Sequence, residues 1–374
     1  MRLLISGGGT AGHVYPALAT VEALGDSPVK SELEPPHDLE ILYVGSAEGI
    51  ETELVPRTGL PLRTIPLGGL RGKEPWMLML NAAKLGRGVG HAWHILGEFA
   101  PHVILATGGY VSAPVVLSGW LRRVPILFYL PDLEPGLAIG LLSGLATRVA
   151  VSFEETADRF AAHKVVVTGY PVRRAILGAR RESARRTFKL SEEIKTVLLY
   201  GGSQGAHSIN VATESSLEQL LELCQVVHIC GSRDASWLEE RRRRLPRWMQ
   251  QRYRVYPYLH EEMGEALAAA DLVVTRAGAA TLGELPAAGV PSILIPYPYA
   301  GRHQERNASY MVERGAAVQL DDGQLAERLL PTIKHLLGDE EALTRMRDMA
   351  RRLARPEAAK RLAEELWQMG REKG

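Results

Sequence analysis

The sequence predicts an α/β protein of two doubly wound domains, and three observations lead there. Short apolar, β-branched runs alternate with helix-length amphipathic stretches from end to end. The runs fall into two consecutive sets, each opening on a strand that enters a glycine-rich turn. A chain of 374 residues is also too long for one ordinary core and suits two of middling size. Strands this apolar, separated by helices, belong to parallel sheets covered on both faces.

Taken in order, the first set of strands is expected at 2–6, 39–44, 102–106, 125–129, 148–152 and 165–168. The second is expected at 196–200, 226–230, 253–256, 272–275 and 292–295. Between them lies Thr168-Gly-Tyr-Pro-Val-Arg173, where glycine and proline block continuation of the strand. Domains are therefore expected over 1–170 and 171–355, with an amphipathic helix over 356–374 packing back on the first. A basic helix with Arg180, Arg181, Arg185 and Arg186 follows the seam and reads as a solvated face. The run Arg241 to Arg244, preceded by Glu239 and Glu240, reads the same way.

Lys plus Arg number 44 against 43 Asp plus Glu, so there is no basic surplus of the kind bulk nucleic-acid binding needs. Hydrophobic content of 46% with 23% charged residues is that of a soluble globular chain. The two cysteines, Cys224 and Cys230, flank a short apolar run and read as buried small hydrophobes of a reducing compartment. No stretch is apolar enough for a signal peptide or a membrane span.

The first strand enters Gly7-Gly-Gly-Thr-Ala-Gly12-His13, with a helix expected from about Pro16. The first strand of the second set enters Gly201-Gly-Ser-Gln-Gly-Ala206, again before a helix. Such turns bring backbone close to a ligand and aim unpaired N–H groups at it, and the helix dipole favours an anion there. Two anion sites are expected, one per domain. Neither turn carries the lysine of a P-loop. Gly7, Gly9 and Gly12 have dinucleotide spacing, but the second strand ends on Gly45-Ser46 with no acidic residue, which disfavours an oxidoreductase.

A third glycine turn, Arg276-Ala-Gly-Ala-Ala-Thr-Leu-Gly-Glu284, places Glu284 about two turns into a helix. A carboxylate there suits the vicinal hydroxyls of a ribose. The following loop, from Pro296 to Asn307, is rich in hydrogen-bonding side chains at the end of a parallel strand, and His303 and Gln304 are its candidates for a donor sugar.

Several motifs in this order carry a family resemblance: GGGTAGHVYPALA, LRGK at 70–73, GGYVSAP at 108–114, TGYPVR, GGSQGA, RAGAATLGE and GRHQERNA. Nearly the whole chain resembles the MurG family, N-acetylglucosaminyltransferases of peptidoglycan synthesis that convert lipid I to lipid II. The resemblance implies a GT-B fold, two Rossmann-like domains facing each other across a cleft. It implies that Ser203, Gln204, Gly205 and the following helix hold the diphosphate of UDP-N-acetylglucosamine, with Arg173 near the phosphates. Thr10, Gly12, Ala279 and Thr281 join the donor site by the same token. Glu284 takes the ribose, Leu259 and His260 lie beside the uracil, and His303 and Gln304 stand where the family usually has two glutamines. Gly8, Gly9, Gly108, Gly109 and Tyr110 face the acceptor. One stretch departs from the family: its His-Glu-Gln-Asn segment reads Leu130-Pro-Asp-Leu-Glu-Pro-Gly136 here, leaving Asp132 or Glu134 for the asparagine's place.

The chain holds no Asp-x-Asp, and neither metal nor cofactor is expected. Leaving-group charge would fall to helix N–H groups and Arg173. A sugar hydroxyl needs a general base, and His13 is the first candidate, with Asp132 and Glu134 behind it. Arg71, Lys73, Lys84 and Arg87 lie among Trp76, Met77, Leu78, Met79, Leu80 and Trp93, with Trp120, Arg122 and Arg123 further on. That composition suits peripheral binding to an anionic inner-membrane surface from the cytoplasmic side, where a lipid-linked acceptor is held. A GT-B enzyme with another acceptor, a UDP-sugar epimerase and a nucleotide-sugar-binding protein without catalysis are the alternatives.

Overall fold

The computed structural model describes residues 1–26, 39–67, 75–134, 140, 142–202, 205–298 and 303–371, with 75–82 described by backbone alone. The chain divides into two compact units, 1–173 with 357–374, and 174–356.

In the first unit the side chains of β1 (Arg2–Gly7) alternate between two apolar layers. Leu3 and Ile5 join a core with Val14, Ala17, Leu362, Leu366 and Trp367, while Leu4 joins another with Leu96, Ile104, Val115 and Phe128. Period-two alternation with both faces buried is what a helix-covered parallel sheet requires. The remaining strands are β2 (Glu40–Ser46), β3 (Leu62–Ile65), β4 (Val103–Gly108), β5 (Ile126–Leu130), β6 (Arg148–Val151) and β7 (Val165–Val167). All pair in parallel, in the order β3-β2-β1-β4-β5-β6-β7.

The helix after the first turn spans Ala11–Asp26, so it starts before Pro16 and carries that proline inside. Proline there forfeits one intrahelical bond. The acceptor that loses this donor is the Gly12 carbonyl, whereas the Pro16 carbonyl also takes a bond from Thr20 Oγ1 at 2.7 Å. The last helix, Ala358–Arg371, belongs to the first unit, where Glu365 pairs with Arg148 and Gly370 lets Met1 approach.

The second unit repeats the plan with β8 (Thr196–Tyr200), β9 (Gln225–Ile229), β10 (Tyr253–Tyr256), β11 (Leu272–Thr275), β12 (Ser292–Leu294) and β13 (Ala317–Gln319). These too are parallel, ordered β10-β9-β8-β11-β12-β13. Val197 and Leu199 pack with Ile209, Leu217, Leu329 and Ile333. The arginines after the seam are not all solvated. Arg185 is buried, and Arg181 reaches Asp271 at 2.5 Å. Asp271 also accepts from the Thr196 N–H at 2.8 Å, so the pair pins the start of β8. Arg241 and Arg242 instead pair with surface glutamates, Glu214 and Glu239 among them, as a charged helix face does. Both cysteines are buried and free.

Candidate active site

Each sheet has one point where the chain reverses its direction of travel across the strands. In the first it falls between β1 and β4, in the second between β8 and β11. The crevice beyond the carboxyl ends of such neighbours is where α/β sheets bind ligands. The glycine turns of the sequence lie there: those after β1 and β4 in one unit, those after β8 and β11 in the other.

At the first point His13 Nδ1 lies 2.9 Å from the Thr107 carbonyl oxygen. A carbonyl only accepts, so Nδ1 carries a proton and donates, and in the neutral ring the lone pair is then on Nε2. Thr107 Oγ1 returns a bond to the His13 carbonyl at 2.6 Å. A Cβ on Gly108 would stand 2.8 Å from His13 Nδ1, and one on Gly109 would run into the Gly8 carbonyl. The Gly108-Gly109 pair is thus explained by the close fit of the β4 turn against the β1 turn.

The turn after β1 holds a surprise for the anion-site reading. The Gly9 N–H donates to Glu51 Oε2 at 2.9 Å, so the anion it faces is the chain's own. Glu51 is fully buried, and its Oε1 takes the Ser46 N–H at 2.8 Å and the Ser46 Oγ at 2.6 Å. A Cβ on Gly8, Gly45 or Gly49 would each collide with this carboxylate. Gly8 and Gly9, expected to face an acceptor, therefore have an internal reason to be glycine. Gly12 differs, with nothing nearer than Thr10 Oγ1 at 3.8 Å from where its Cβ would be. Tyr110 lies over Gly9 and donates to Ser46 Oγ at 3.1 Å.

At the second point the turn carries Gly202 at φ +85° and Gly205 at φ +75°, and a Cβ on Gly205 would strike the Cys230 carbonyl. Ser203 and Gln204 lie outside the described residues. The helix His207–Ser215 follows, and no side chain among the described residues caps its N-terminus. Its first-turn N–H groups are thus open to an acceptor from outside the helix. Beneath it Asn210 is held by Asp234 at 2.7 Å and by His228 at 2.9 Å. Burial pushes the His228 imidazole down to about 3, so it stays neutral.

Arg276 knits the loops together at this point. Its guanidinium donates to Asp322 Oδ1 at 2.6 Å, to Ser208 Oγ at 2.7 Å and to the Ile295 carbonyl at 3.3 Å. The helix Thr281–Ala288 follows, and Glu284 is its fourth residue, buried in the first turn rather than two turns in. Ala279 and Thr281 are buried beside it, Thr281 Oγ1 donating to the Gly278 carbonyl at 2.6 Å. A Cβ on Gly278 itself would meet no described atom within 4 Å.

His303 and Gln304 start the helix His303–Glu313 instead of lying in a loop. Gln304 Oε1 accepts the Tyr297 N–H at 2.8 Å, and His303 Nδ1 is buried with no partner among the described residues. Asn307 Nδ2 donates to the Ala277 carbonyl at 3.0 Å, tying that helix to the β11 turn. Leu259 is buried, and the His260 ring packs edge-on to Tyr258 at 4.6 Å.

Arg173 falls in the first unit, not the second, with its guanidinium 3.7 Å from the centre of the Tyr15 ring. Glu134 pairs with Arg159 at 3.3 Å. The buried Tyr129 hydroxyl is pushed well up by desolvation, with the Asp132 charge adding to it. Pro135, Gly136, the LRGK stretch and the 299–302 segment lie outside the described residues, as do the side chains of Trp76, Met77, Leu78, Met79 and Leu80. Trp93, Trp120 and Leu121 are exposed, and Arg122 stacks on Trp93 at 4.0 Å. Among the described residues no helix is long and apolar enough to cross a membrane.

Sequence reasoning passed over Glu51, Ser46 and the Arg276–Asp322–Ser208 node. A signal for the first existed: Gly45 and Gly49 bracket Ser46 just ahead of Glu51, a spacing that leaves room for a side chain to fold back.

Residues 3–151 match the N-terminal domain model of glycosyltransferase family 28, and residues 196–362 match its C-terminal domain model. A UDP-N-acetylglucosamine--N-acetylmuramyl-(pentapeptide) pyrophosphoryl-undecaprenol N-acetylglucosamine transferase from Roseiflexus sp. (strain RS-1) is 40% identical, covering 97% of this chain and 94% of its own. The protein of the same name from Moorella thermoacetica is 42% identical, covering 96% of each chain. Among solved structures, Acinetobacter baumannii MurG superposes with a TM-score of 0.72 at 25% identity, over 98% of this chain and 99% of that one. The UDP-GlcNAc 2-epimerase of Neisseria meningitidis, at 12% identity, TM-score 0.69 and coverage of 98% and 100%, shares the fold. With its two parallel-sheet halves, its glycine turns at both reversal points and this full-length likeness, the chain belongs to the MurG family of GT-B glycosyltransferases.

Proposed function

We infer that this chain transfers N-acetylglucosamine from UDP-N-acetylglucosamine to the lipid-linked N-acetylmuramyl-pentapeptide acceptor, making lipid II for peptidoglycan. The observation that carries this is the 40% identity to a transferase of that name along 97% of the chain. It is a hexosyltransferase, and the chemistry divides between its units.

The second unit holds the donor. The uncapped helix His207–Ser215 supplies N–H groups to the diphosphate, and Glu284 takes the ribose hydroxyls. Leu259 and His260 flank the uracil, and His303 with Gln304 contacts the sugar. Open space at Gly278 supports this placement, because no atom among the described residues requires glycine there.

The first unit supplies the base. The acceptor C4 oxygen attacks the anomeric carbon as its proton passes to His13 Nε2, and the C1–O bond to the diphosphate breaks with its electron pair leaving on UDP. An α-linked donor thus yields a β-linked product. The bond from Nδ1–H to Thr107 supports this role, since it fixes the tautomer a base requires. Arg173 and the helix N–H groups take up charge on UDP, so no metal bridge is invoked. Thr10 and Gly12 join the donor side, and Gly108, Gly109 and Tyr110 take the acceptor side with Asp132 and Glu134.

The protein meets its lipid substrate as a peripheral protein on the cytoplasmic face of the membrane. The exposed Trp93, Trp120 and Leu121 with nearby Arg122 support contact with an anionic surface.

Turnover of UDP-N-acetylglucosamine with a lipid I analogue tests the reading. Formation of lipid II is expected, with no sugar released when the acceptor is omitted. Acceptor-independent conversion of the donor to UDP-N-acetylmannosamine would instead mark an epimerase.

A further inference from the structure

Glu51 has no part in the function just described, yet it is built into the turn that carries His13. Removing a carboxylate from water costs several kcal/mol even after relaxation. Here its oxygens collect three hydrogen bonds, from Gly9 N–H, Ser46 N–H and Ser46 Oγ. A side chain needed only to fill space would be apolar, because well-packed apolar replacements of buried ions are often neutral or better. Three separate glycines, Gly8, Gly45 and Gly49, leave the room it occupies.

The carboxylate sits where a strand–glycine–helix turn ordinarily offers its amides to phosphate. Two connections lead from it toward His13. The first is the Gly9 amide, in a turn whose positive φ of +83° needs an anchor to stay unique. The second runs through Ser46 Oγ to the Tyr110 hydroxyl at 3.1 Å, on the β4 turn whose Thr107 carbonyl fixes the imidazole at 2.9 Å. Both turns that bracket His13 thus end on one buried acid. Tyr43 reinforces the arrangement, donating to the Gly7 carbonyl at 2.9 Å with its hydroxyl pushed up by burial and by the Glu51 charge.

We propose that Glu51 is a built-in anion, a positioning residue that occupies the first turn's Gly9 amide in place of a ligand phosphate and thereby holds His13 in its working tautomer and direction. It follows that no phosphate of the acceptor rests on Gly9. The consequence for rate depends on His13 being the base, as inferred above, but the consequence for the His13 ring does not.

The test uses the full-length protein and Glu51→Gln, which keeps the size and the Ser46 bonds but sets an amide NH2 against the Gly9 N–H. Three quantities are read: kcat with KM for UDP-N-acetylglucosamine, the melting temperature, and the ¹⁵N shifts of His13, assigned by their loss in His13→Ala. Expected are a fall in kcat of about 10²-fold, the scale of a small misplacement of a reacting group, a donor KM within about twofold, and loss of the pure Nδ1–H signature. Wild-type kcat together with unchanged His13 shifts would overturn the proposal. So would a melting temperature that falls while the His13 shifts stay put, which marks packing alone. If Glu51→Gln does not fold, Ser46→Ala cuts the Tyr110 connection more gently. A several-fold loss of kcat with altered His13 shifts supports the proposal there, and wild-type values of both overturn it. Should His13→Ala prove active, the base assignment fails, and the His13 shifts in Glu51→Gln still decide the positioning role.

Discussion

The two reversal points use the same strand order and the same glycine-turn-helix parts, yet they are finished in opposite ways. At the first, protein atoms fill the turn: Glu51 lies under Gly8 and Gly9, the Gly8 carbonyl presses on Gly109, and His13 presses on Gly108. At the second, the helix N-terminus is left uncapped and Gly278 faces open space among the described residues. Beneath the first turn sits a carboxyl group, Glu51. Beneath the second sits a neutral imidazole, His228, holding Asn210. A glycine turn is therefore not by itself a phosphate site. What distinguishes the two is whether the fold has already consumed the amides, a difference consistent with the proposal that the base lies in one unit and the nucleotide in the other.

The largest effect that could break this division is at His13. His13→Ala is expected to lower kcat by about 10²–10⁴-fold while UDP affinity by calorimetry stays within about twofold. A parallel loss of UDP affinity would merge the two roles. Next is Glu284→Ala, which under the proposed ribose contact removes an acceptor of two charge-assisted hydrogen bonds worth about 1.5–3 kcal/mol each. UDP should then bind about 10²-fold more weakly, and unchanged affinity would take the ribose away from this helix.

A pair of glycines sharpens the contrast further. Gly8→Ala must displace Glu51 and should cost about 2–4 kcal/mol, visible as an early melting transition. Gly278→Ala should change stability by less than about 1 kcal/mol while raising donor KM roughly tenfold, the cost of about 1.4 kcal/mol of lost binding. If Gly278→Ala melts early with a normal KM, the open space there has nothing to do with the donor.

The smallest expected effect concerns pH. His228 is lowered from 6.5 to about 3 by burial, so the unfolded chain takes up a proton below pH 6.5 that the folded one refuses. Its contribution is intact above 6.5 and shrinks as pH falls, by at most about 1.4 kcal/mol per unit. The melting advantage of wild type over His228→Gln should accordingly narrow from pH 7.5 to 5.5. An advantage that widens on acidification would contradict a neutral, buried imidazole.

What could be read from the chain follows the same physical divide. Central strands announce themselves: 196–200 and 272–275 were expected at their observed limits, because burial on both faces demands apolar runs. The two strands passed over, Leu62–Ile65 and Ala317–Gln319, are both sheet edges. An edge strand is short or partly polar and leaves a weak pattern. In the candidate site, the glycine turns are local features and were legible. The Gly9–Glu51 bond spans 42 residues, and Arg276 reaches Asp322 across 46 and Ser208 across 68. No periodicity encodes such pairs, so a buried acid and a buried arginine look like any surface charge until the sheet order brings their partners near. Arg181 and Arg185 were misjudged for that reason.

The division of labour is tested most directly by a structure of the full chain with UDP bound. The account predicts the diphosphate against the N-terminus of the His207–Ser215 helix and the ribose hydroxyls on Glu284, with Gly9 still bonded to Glu51. UDP phosphates resting on the Gly9 turn, with Glu51 displaced, would contradict it.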